Sequence, residues 1–210
     1  MNSNQVMDRA DIARLIDERI RIAMSYQDFR ELTNQMAVNG KTTGQEQTAS
    51  LIQYTVLNSR RMKRWDKTFR IPNATAEIIK TIDRPIIWLV LTESWCGDAA
   101  PTIPVMNKIA ELNPNIHLGI LLRDDHLDLM ERFRTEGALS IPKLISMDRE
   151  SGEIIGEWGP RPLAATRLVK EYKEKHEALT PEFREELQRW YNADKGLSTL
   201  HELLKLLSLE

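Results

Sequence analysis

Apolar residues in the first part of the chain recur every three or four positions and form two stripes. This spacing predicts two helices within residues 8–38. Asn39-Gly40 follows the second stripe and is typical of a turn or a helix C-cap. The apolar positions are Ile12, Leu15, Ile16, Ile20, Ala23 and Met24 in the first stripe and Phe29, Leu32 and Met36 in the second.

A longer helical pattern comes next. Thr43 and Glu46 have the spacing of a capping box, in which two side chains satisfy free backbone N–H groups at a helix start. We therefore expect a helix from Thr43 to about Phe69, ended by Pro72, because proline cannot continue the hydrogen-bond pattern. Residues 1–72 are expected to form a helical N-terminal extension. The apolar positions of this helix include Ile52, Val56, Met62, Trp65 and Phe69.

The periodicity changes near Pro85, where a continuous apolar run begins. Residues 73–178 alternate strand-like and helix-like segments, and Ser151-Gly152 joins the last two strands like a hairpin turn. This order predicts an α/β fold with a mixed central sheet. The predicted strands are 86–92, 116–122, 143–147 and 153–158, and the predicted helices are 98–112, 125–135 and 161–178.

Two more helices close the chain, in residues 179–210. Thr180-Pro181 is typical of an N-cap followed by proline at the first helical position. Gly196 is expected to end that helix, and Thr199 with Glu202 to start the last one. This C-terminal extension is expected to pack on the core because its apolar face must be buried, and the sequence also leaves a homodimer open. The apolar positions are Phe183, Leu187, Trp190 and Tyr191, then Leu200, Leu203, Leu204, Leu206 and Leu207.

Composition narrows the class of protein. Charged residues make up 29% of the 210 residues and hydrophobic residues 41%, which is typical of a soluble globular protein. A net charge of −2 favours neither nucleic acid nor membrane as a partner, and we interpret the basic stretch 60–70 as a solvated helix face. The four histidines lie far apart and lack the spacing of a metal site.

Two features bear on the cellular compartment. The single cysteine excludes an internal disulfide framework. Residues 1–5 lack the basic and apolar regions of a signal peptide, and the longest apolar run, about six residues, is far shorter than the roughly 20 that span a bilayer. We therefore expect a cytoplasmic protein.

That one cysteine, Cys96, lies between a predicted buried strand and a predicted helix. A thiol at a helix N-terminus is favoured as the thiolate, because the helix dipole and the free N–H groups stabilise the anion. Asp98 acts in the opposite direction, since a nearby carboxylate disfavours a second negative charge. We expect the sulfur to be exposed at the head of the helix.

Motifs around this cysteine resemble the thioredoxin family. Trp95-Cys96-Gly97 follows a buried strand, Ser140-Ile141-Pro142 precedes the next-to-last strand, Pro104 lies within the following helix, and Gly159 follows the last strand. The resemblance implies a thioredoxin-like, three-layer core with helical extensions before and after it. With its helical extensions and its single thiol, the chain resembles the bacterial group of thioredoxin family proteins.

The resemblance also implies roles for individual residues. Cys96 would be the attacking thiol, and Ile141-Pro142 a cis peptide bond beside the sulfur, next to which an extended peptide can pair with the backbone. Trp158 would flank a substrate, or else close the core, and Arg161 would contact a ligand. The active-site motif would be Trp95, Cys96, Gly97, Asp98 and Ala99.

Two departures exclude a dithiol reductase. Ala99 stands where thioredoxins have their second cysteine, and Val90 stands where they have a buried acid. One hypothesis is monothiol exchange with disulfide-bearing or S-thiolated proteins, for which glutathione or another small thiol is co-substrate and no cofactor is bound. The alternative is a non-catalytic thioredoxin-fold module that binds a peptide or protein.

Overall fold

The computed structural model describes residues 9–209. Two predictions fall outside these residues: that the first helix starts at residue 8, and that residues 1–5 form no signal peptide. Residue 210 also lies outside them. Four helices precede the first strand in the described part of the chain. They are α1 (Arg9–Ile22), α2 (Tyr26–Val38), α3 (Ala49–Thr68) and α4 (Asn73–Lys80).

The α/β fold with a mixed sheet is confirmed. The sheet has the strand order β2-β1-β3-β4, in which β1 is parallel to β2 and antiparallel to β3, and β4 is antiparallel to β3. The strands are β1 (Ile86–Thr92), β2 (Ile116–Leu122), β3 (Lys143–Asp148) and β4 (Ile154–Trp158), and the later helices are α5 (Ala99–Ala110), α6 (Leu127–Met130), α7 (Leu163–Lys173), α8 (Pro181–Asp194) and α9 (Leu197–Leu206).

The central strand β1 is buried along its whole length, as expected for a strand covered on both faces. Two glycines let the flanking helices approach the sheet. A Cβ on Gly119 of β2 would overlap Ile20 of α1, and a Cβ on Gly156 of β4 would overlap Leu206 of α9. Helices from both ends of the chain therefore contribute to one apolar core with the sheet.

The predicted start of the long helix was wrong. Helix α3 begins at Ala49, with Thr48 as N-cap, whose hydroxyl accepts a hydrogen bond from Leu51 N–H at 3.3 Å. The hydroxyl of Thr43 is used instead by the backbone N–H of Ser94, at 2.8 Å. The Thr43 hydroxyl, which the local spacing predicted to cap a helix, is therefore used in a tertiary hydrogen bond instead.

Other boundaries differ as well. Helix α3 ends at Thr68 with Phe69 as its C-cap, as predicted, but Pro72 is the N-cap of α4, a helix that the apolar pattern did not predict. The predicted helix 125–135 is a 3₁₀ turn over Arg123–Asp125 followed by the single turn α6. Helix α7 ends at Lys173, about a turn earlier than predicted.

The start of the last helix also needs correction. Gly196, with φ 79°, is the N-cap of α9, and Thr199 is buried inside the helix rather than capping it. Lys195 is left-handed as well, with φ 57°. Two successive left-handed residues therefore connect α8 to α9. Gly196 has no side chain to cap α9, and the carboxylate of Asp194 instead accepts a hydrogen bond from the Ser198 N–H at 3.1 Å. Within residues 9–209, no helix combines the length and apolar character needed to cross a membrane.

Candidate active site

Cys96 lies in the short connection between β1 and α5. Its S–H donates a hydrogen bond to the carbonyl of Ile141, at 3.2 Å. The Ile141–Pro142 peptide bond is cis, and both residues are buried. The fold thus brings together a thiol and a prolyl loop that are 45 residues apart in sequence.

The sulfur is buried rather than exposed, which corrects the expectation from sequence. Only 5% of Cys96 is accessible to solvent. Burial raises the pKa of the thiol to about 12, and the charge of Asp98 adds to that effect. The backbone N–H groups of Ala99 and Asp98, and the more distant charge of Arg161, lower the pKa but do not compensate. Cys96 is therefore a neutral thiol at physiological pH in this conformation.

Asp98 is the charged centre of the site. Arg161, from the loop after β4, places its Nε 2.8 Å from Oδ2 of this carboxylate. The hydroxyl of Tyr191, on α8, donates to Oδ1 at 3.0 Å. Burial alone lowers the pKa of Arg161, but the Asp98 carboxylate outweighs burial and the pKa is raised. Burial and the same carboxylate raise the pKa of Tyr191.

Helix α8 covers the residues that follow the cysteine. The side-chain amide of Gln188 donates to the carbonyl of Gly97 at 3.0 Å, one turn from the contact between Tyr191 and Asp98. Sequence reasoning missed both residues. The pattern placed Tyr191 on the apolar face of its helix, and nothing in it indicated that this face would pack on the thiol.

A buried polar cluster holds the residue before Trp95. The hydroxyl of Ser94 lies 3.1 Å from that of Thr42, 3.1 Å from that of Thr43 and 2.9 Å from that of Thr55. The amide of Asn58 donates to the Ser94 carbonyl at 3.0 Å. The segment before α3 and α3 itself thus anchor the connection that carries the thiol.

Trp95 is half-buried. The guanidinium of Arg123 lies 5.1 Å from the centre of its ring, within range of a cation–π interaction. A cleft of about 350 Å³ lies beside them and is also lined by Thr43 and Asp124. The cleft is large enough for a small ligand next to Trp95.

Glu93 is a second buried acid in this connection. It has no solvent exposure, and its Oε1 accepts a hydrogen bond from Asp124 N–H at 2.9 Å. Its Oε2 has no partner among residues 9–209. Burial raises the pKa of this carboxyl group. Val90, the position where thioredoxins have their buried acid, is buried in β1.

The loop after β4 lies against the prolyl loop. A Cβ on Gly159, whose φ is 121°, would overlap the carbonyl oxygen of Pro142, so only glycine fits there. Trp158 is 7% exposed and its indole N–H donates to Glu202 of α9 at 2.8 Å. Of the two residues of this loop expected near substrate, Arg161 reaches the polar groups beside the thiol, and Trp158 points to α9.

Comparisons with known proteins agree with this geometry. A family model described as Thioredoxin matches residues 44–175, more than half of the chain. No curated protein matches the chain significantly. Helices α1, α2, α8 and α9 lie outside the matched segment.

Two solved structures have the same fold over nearly the whole chain. An HIV epitope scaffold has a TM-score of 0.60 and 20% identity, with 91% of this chain and 96% of that chain covered. A protein of unknown function from Pseudomonas aeruginosa has a TM-score of 0.59 and 19% identity, with 90% and 94% covered. At this identity the likeness shows the fold alone. With the family match over residues 44–175, the chain belongs to the thioredoxin family.

Proposed function

We propose that the protein carries out monothiol thiol–disulfide exchange, with Cys96 as the nucleophile. The observation that carries this proposal is the contact between the Cys96 sulfur and the Ile141 carbonyl, beside the cis prolyl bond. Two backbone N–H groups, of Asp98 and Ala99, stabilise the thiolate there.

The chemistry proceeds in two exchanges. The Cys96 thiolate attacks one sulfur of a disulfide-bearing or S-thiolated protein, forming a mixed disulfide and releasing the other sulfur as a thiolate, which takes up a proton. Because Ala99 replaces the second cysteine, a small thiol of the glutathione class must attack the mixed disulfide. Cys96 is regenerated, and the small thiol leaves as a disulfide with the sulfur that Cys96 had captured. For an S-thiolated protein attacked at its small-thiol sulfur, one such cycle releases the free protein thiol and oxidises the small thiol. A protein with an internal disulfide leaves the first cycle S-thiolated and needs a second small thiol to be fully reduced.

The closed conformation slows the first exchange. With a pKa of about 12, the thiolate is about 10⁻⁵ of Cys96 at pH 7, against about 10⁻¹·⁵ for an ordinary thiol. A more basic thiolate is a stronger nucleophile, which offsets less than half of this difference on a logarithmic scale. Attack by Cys96 is therefore about 100-fold slower than attack by an ordinary thiol. Turnover therefore requires a conformation in which the sulfur is better solvated.

A substrate can approach along the prolyl loop. A groove of about 470 Å³ is lined by Lys143, Gly159 and Arg161. Lys143 follows Pro142 in the chain, Gly159 lies against the Pro142 carbonyl, and Arg161 pairs with Asp98. A backbone N–H of an extended peptide could take over the Ile141 carbonyl from the Cys96 S–H. That exchange of partners would free the sulfur at the position where it attacks.

A second candidate function rests on the same burial. The raised pKa of Cys96 and the alanine at position 99 are also what a non-catalytic protein-binding module would have. In that case the fold binds its partner without turnover, and the thiol is a packing residue.

Trapping distinguishes the two candidates. The protein is incubated with glutathione disulfide and with an S-glutathionylated peptide, and the intact mass is measured over time. We expect a glutathione adduct on Cys96 that added glutathione removes, and no adduct on Cys96→Ser. If no adduct forms under any oxidising condition, while a partner is bound equally by wild type and Cys96→Ser, the binding module replaces our proposal.

A further inference from the structure

We infer that α8 is an autoinhibitory cap that must move off the Cys96 connection before the thiol can react. The inference rests on the proposed function, since it states how that site is regulated. Helix α8 lies outside the segment matched by the family model, so the cap is an addition to the part of the chain that carries the thiol.

The inward face of α8 contacts the residues directly after the cysteine. Gln188 donates to the Gly97 carbonyl and Tyr191 donates to the Asp98 carboxylate, both at 3.0 Å. Tyr191 is 1% exposed, and it is close enough to the sulfur that a Cys96 thiolate would raise its pKa. These two contacts hold α8 over the connection in which the thiol is buried.

The remaining contacts of α8 would permit such movement. Three of its apolar side chains are buried, Trp190 packs partly buried against the core, and Phe183 stacks on Tyr172 of α7 with ring centres 3.9 Å apart. Most of its other positions are exposed. Contacts to α3 lie at the surface, where Arg64 bonds to Asn192 and the Arg184 guanidinium lies 5.5 Å from the Tyr54 ring centre. A helix with few buried apolar contacts is among the first elements to open locally. The buried apolar side chains of α8 are Phe183, Leu187 and Tyr191.

Both ends of α8 suit a moving element. Residues 173–178, before the helix, are all exposed. After it, Lys195 and Gly196 are both left-handed, and α9 is fixed by Leu200, Leu203 and Leu204, which are at most 4% exposed. Helix α8 can therefore pivot about its C-terminal end, where the Asp194 carboxylate accepts hydrogen bonds from Ser198, while α9 stays in the core.

Movement of α8 would change the thiol in a defined way. Water would reach the sulfur, which removes the burial that dominates its raised pKa. The N–H groups of Asp98 and Ala99 belong to the connection and to α5, so they would stay with the sulfur. The released Asp98 carboxylate would keep Arg161 as its ion-pair partner.

The test uses the reaction of iodoacetamide with Cys96, the only thiol, at fixed pH and under conditions where each variant is folded by circular dichroism. If reaction requires a local opening, its rate follows the opening equilibrium, and loss of a hydrogen bond to a carboxylate shifts that equilibrium about 10-fold or more. We expect Tyr191→Phe to react at least about 10-fold faster than wild type, and Gln188→Ala to react several-fold faster.

Tyr26→Phe is the matched control. The Tyr26 hydroxyl also donates to a carboxylate, that of Asp66, but it links α2 to α3 and makes no contact with α8 that the structure describes. Its rate should stay within about two-fold of wild type. Equal acceleration by Tyr26→Phe and Tyr191→Phe would overturn the cap, because the thiol would then react through general loss of stability. No acceleration by either Tyr191→Phe or Gln188→Ala would overturn it as well.

Glutathione disulfide separates this inference from the proposed function. If Tyr191→Phe is alkylated faster but forms no glutathione adduct, the cap stands and the exchange reaction fails. If wild type exchanges with glutathione disulfide as fast as Tyr191→Phe does, the exchange reaction stands and the cap fails.

Discussion

At the scale of single residues, the chemistry that we propose depends on the proton of the Cys96 thiol. Local features of the connection, the N-terminus of α5 and two free N–H groups, favour the Cys96 thiolate. Burial and the Asp98 carboxylate favour the neutral thiol, and they prevail. The balance is thus set by solvent access to one sulfur atom, and a change in access is enough to alter reactivity.

This raised pKa predicts a pH-dependent stability. Because the folded state keeps the Cys96 proton to about pH 12 while the unfolded state loses it near 8.5, the folded state binds more protons between these values, and stability falls as pH rises through that window. Relative to Cys96→Ser, wild type should lose about 2 kcal/mol of unfolding free energy between pH 9 and pH 10.5.

Denaturant unfolding of both proteins at several pH values measures this difference. Other groups that titrate in this range, including the buried tyrosines, are present in both proteins and cancel in the comparison. A difference that does not change with pH would mean that the thiol has an ordinary pKa in the folded protein.

At the scale of secondary-structure elements, tertiary contacts decide where helices begin. Thr43 and Glu46 have capping-box spacing, but Thr43 is committed to the buried cluster around Ser94. Helix α3 starts later, with Thr48 as its N-cap. The third helical position is Leu51 rather than an acid, so the Thr48 hydroxyl caps the helix without a capping box. Thr43 thus anchors the connection that carries the thiol instead of capping a helix.

Substitutions distinguish the two possible starts of α3. Thr48→Ala should cost about 1 kcal/mol of unfolding free energy, since it removes the acceptor for the Leu51 N–H. Glu46→Ala should change it by less than about 0.5 kcal/mol, because Glu46 is exposed and caps no helix. Chemical denaturation measures both, and a larger effect at Glu46 would contradict the observed boundary.

At the scale of the whole molecule, the terminal helices share one core with the sheet. Leu203 of α9 has no solvent exposure, and α9 packs on both β4 and α5. Ile16 and Ile20 of α1 are buried in the same cluster. We therefore expect the terminal helices and the sheet to unfold together.

Leu203→Ala tests this expectation. Truncating a fully buried leucine costs about 2–5 kcal/mol, which in a protein of this size lowers the melting temperature by roughly 5–15 °C. We expect one cooperative transition that shifts as a whole. Leu197→Ala, at a position of the same helix that is 41% exposed, is the control and should shift it little. Two transitions, of which only one moves, would show that the C-terminal helices fold as a separate unit.

Much of the fold could be predicted from the sequence because its signals are local. The continuous apolar run predicted β1 as a buried strand, and the proline after Thr180 marked the start of α8. The predictions of the short helix after β2 and of the start of α9 were wrong. The first helix is a single turn, and α9 starts after two left-handed residues rather than at the predicted pair Thr199 and Glu202.

The sequence by itself determined the parts of the site: one thiol at a helix start, alanine in place of a second cysteine, and a prolyl loop on a later strand. Only the tertiary structure decided the state of that thiol. Tyr191 meets Asp98 across 93 residues of chain, and no periodic pattern encodes such a pairing. Desolvation depends on every element that packs around an atom, so the burial of Cys96 became apparent only in the folded chain.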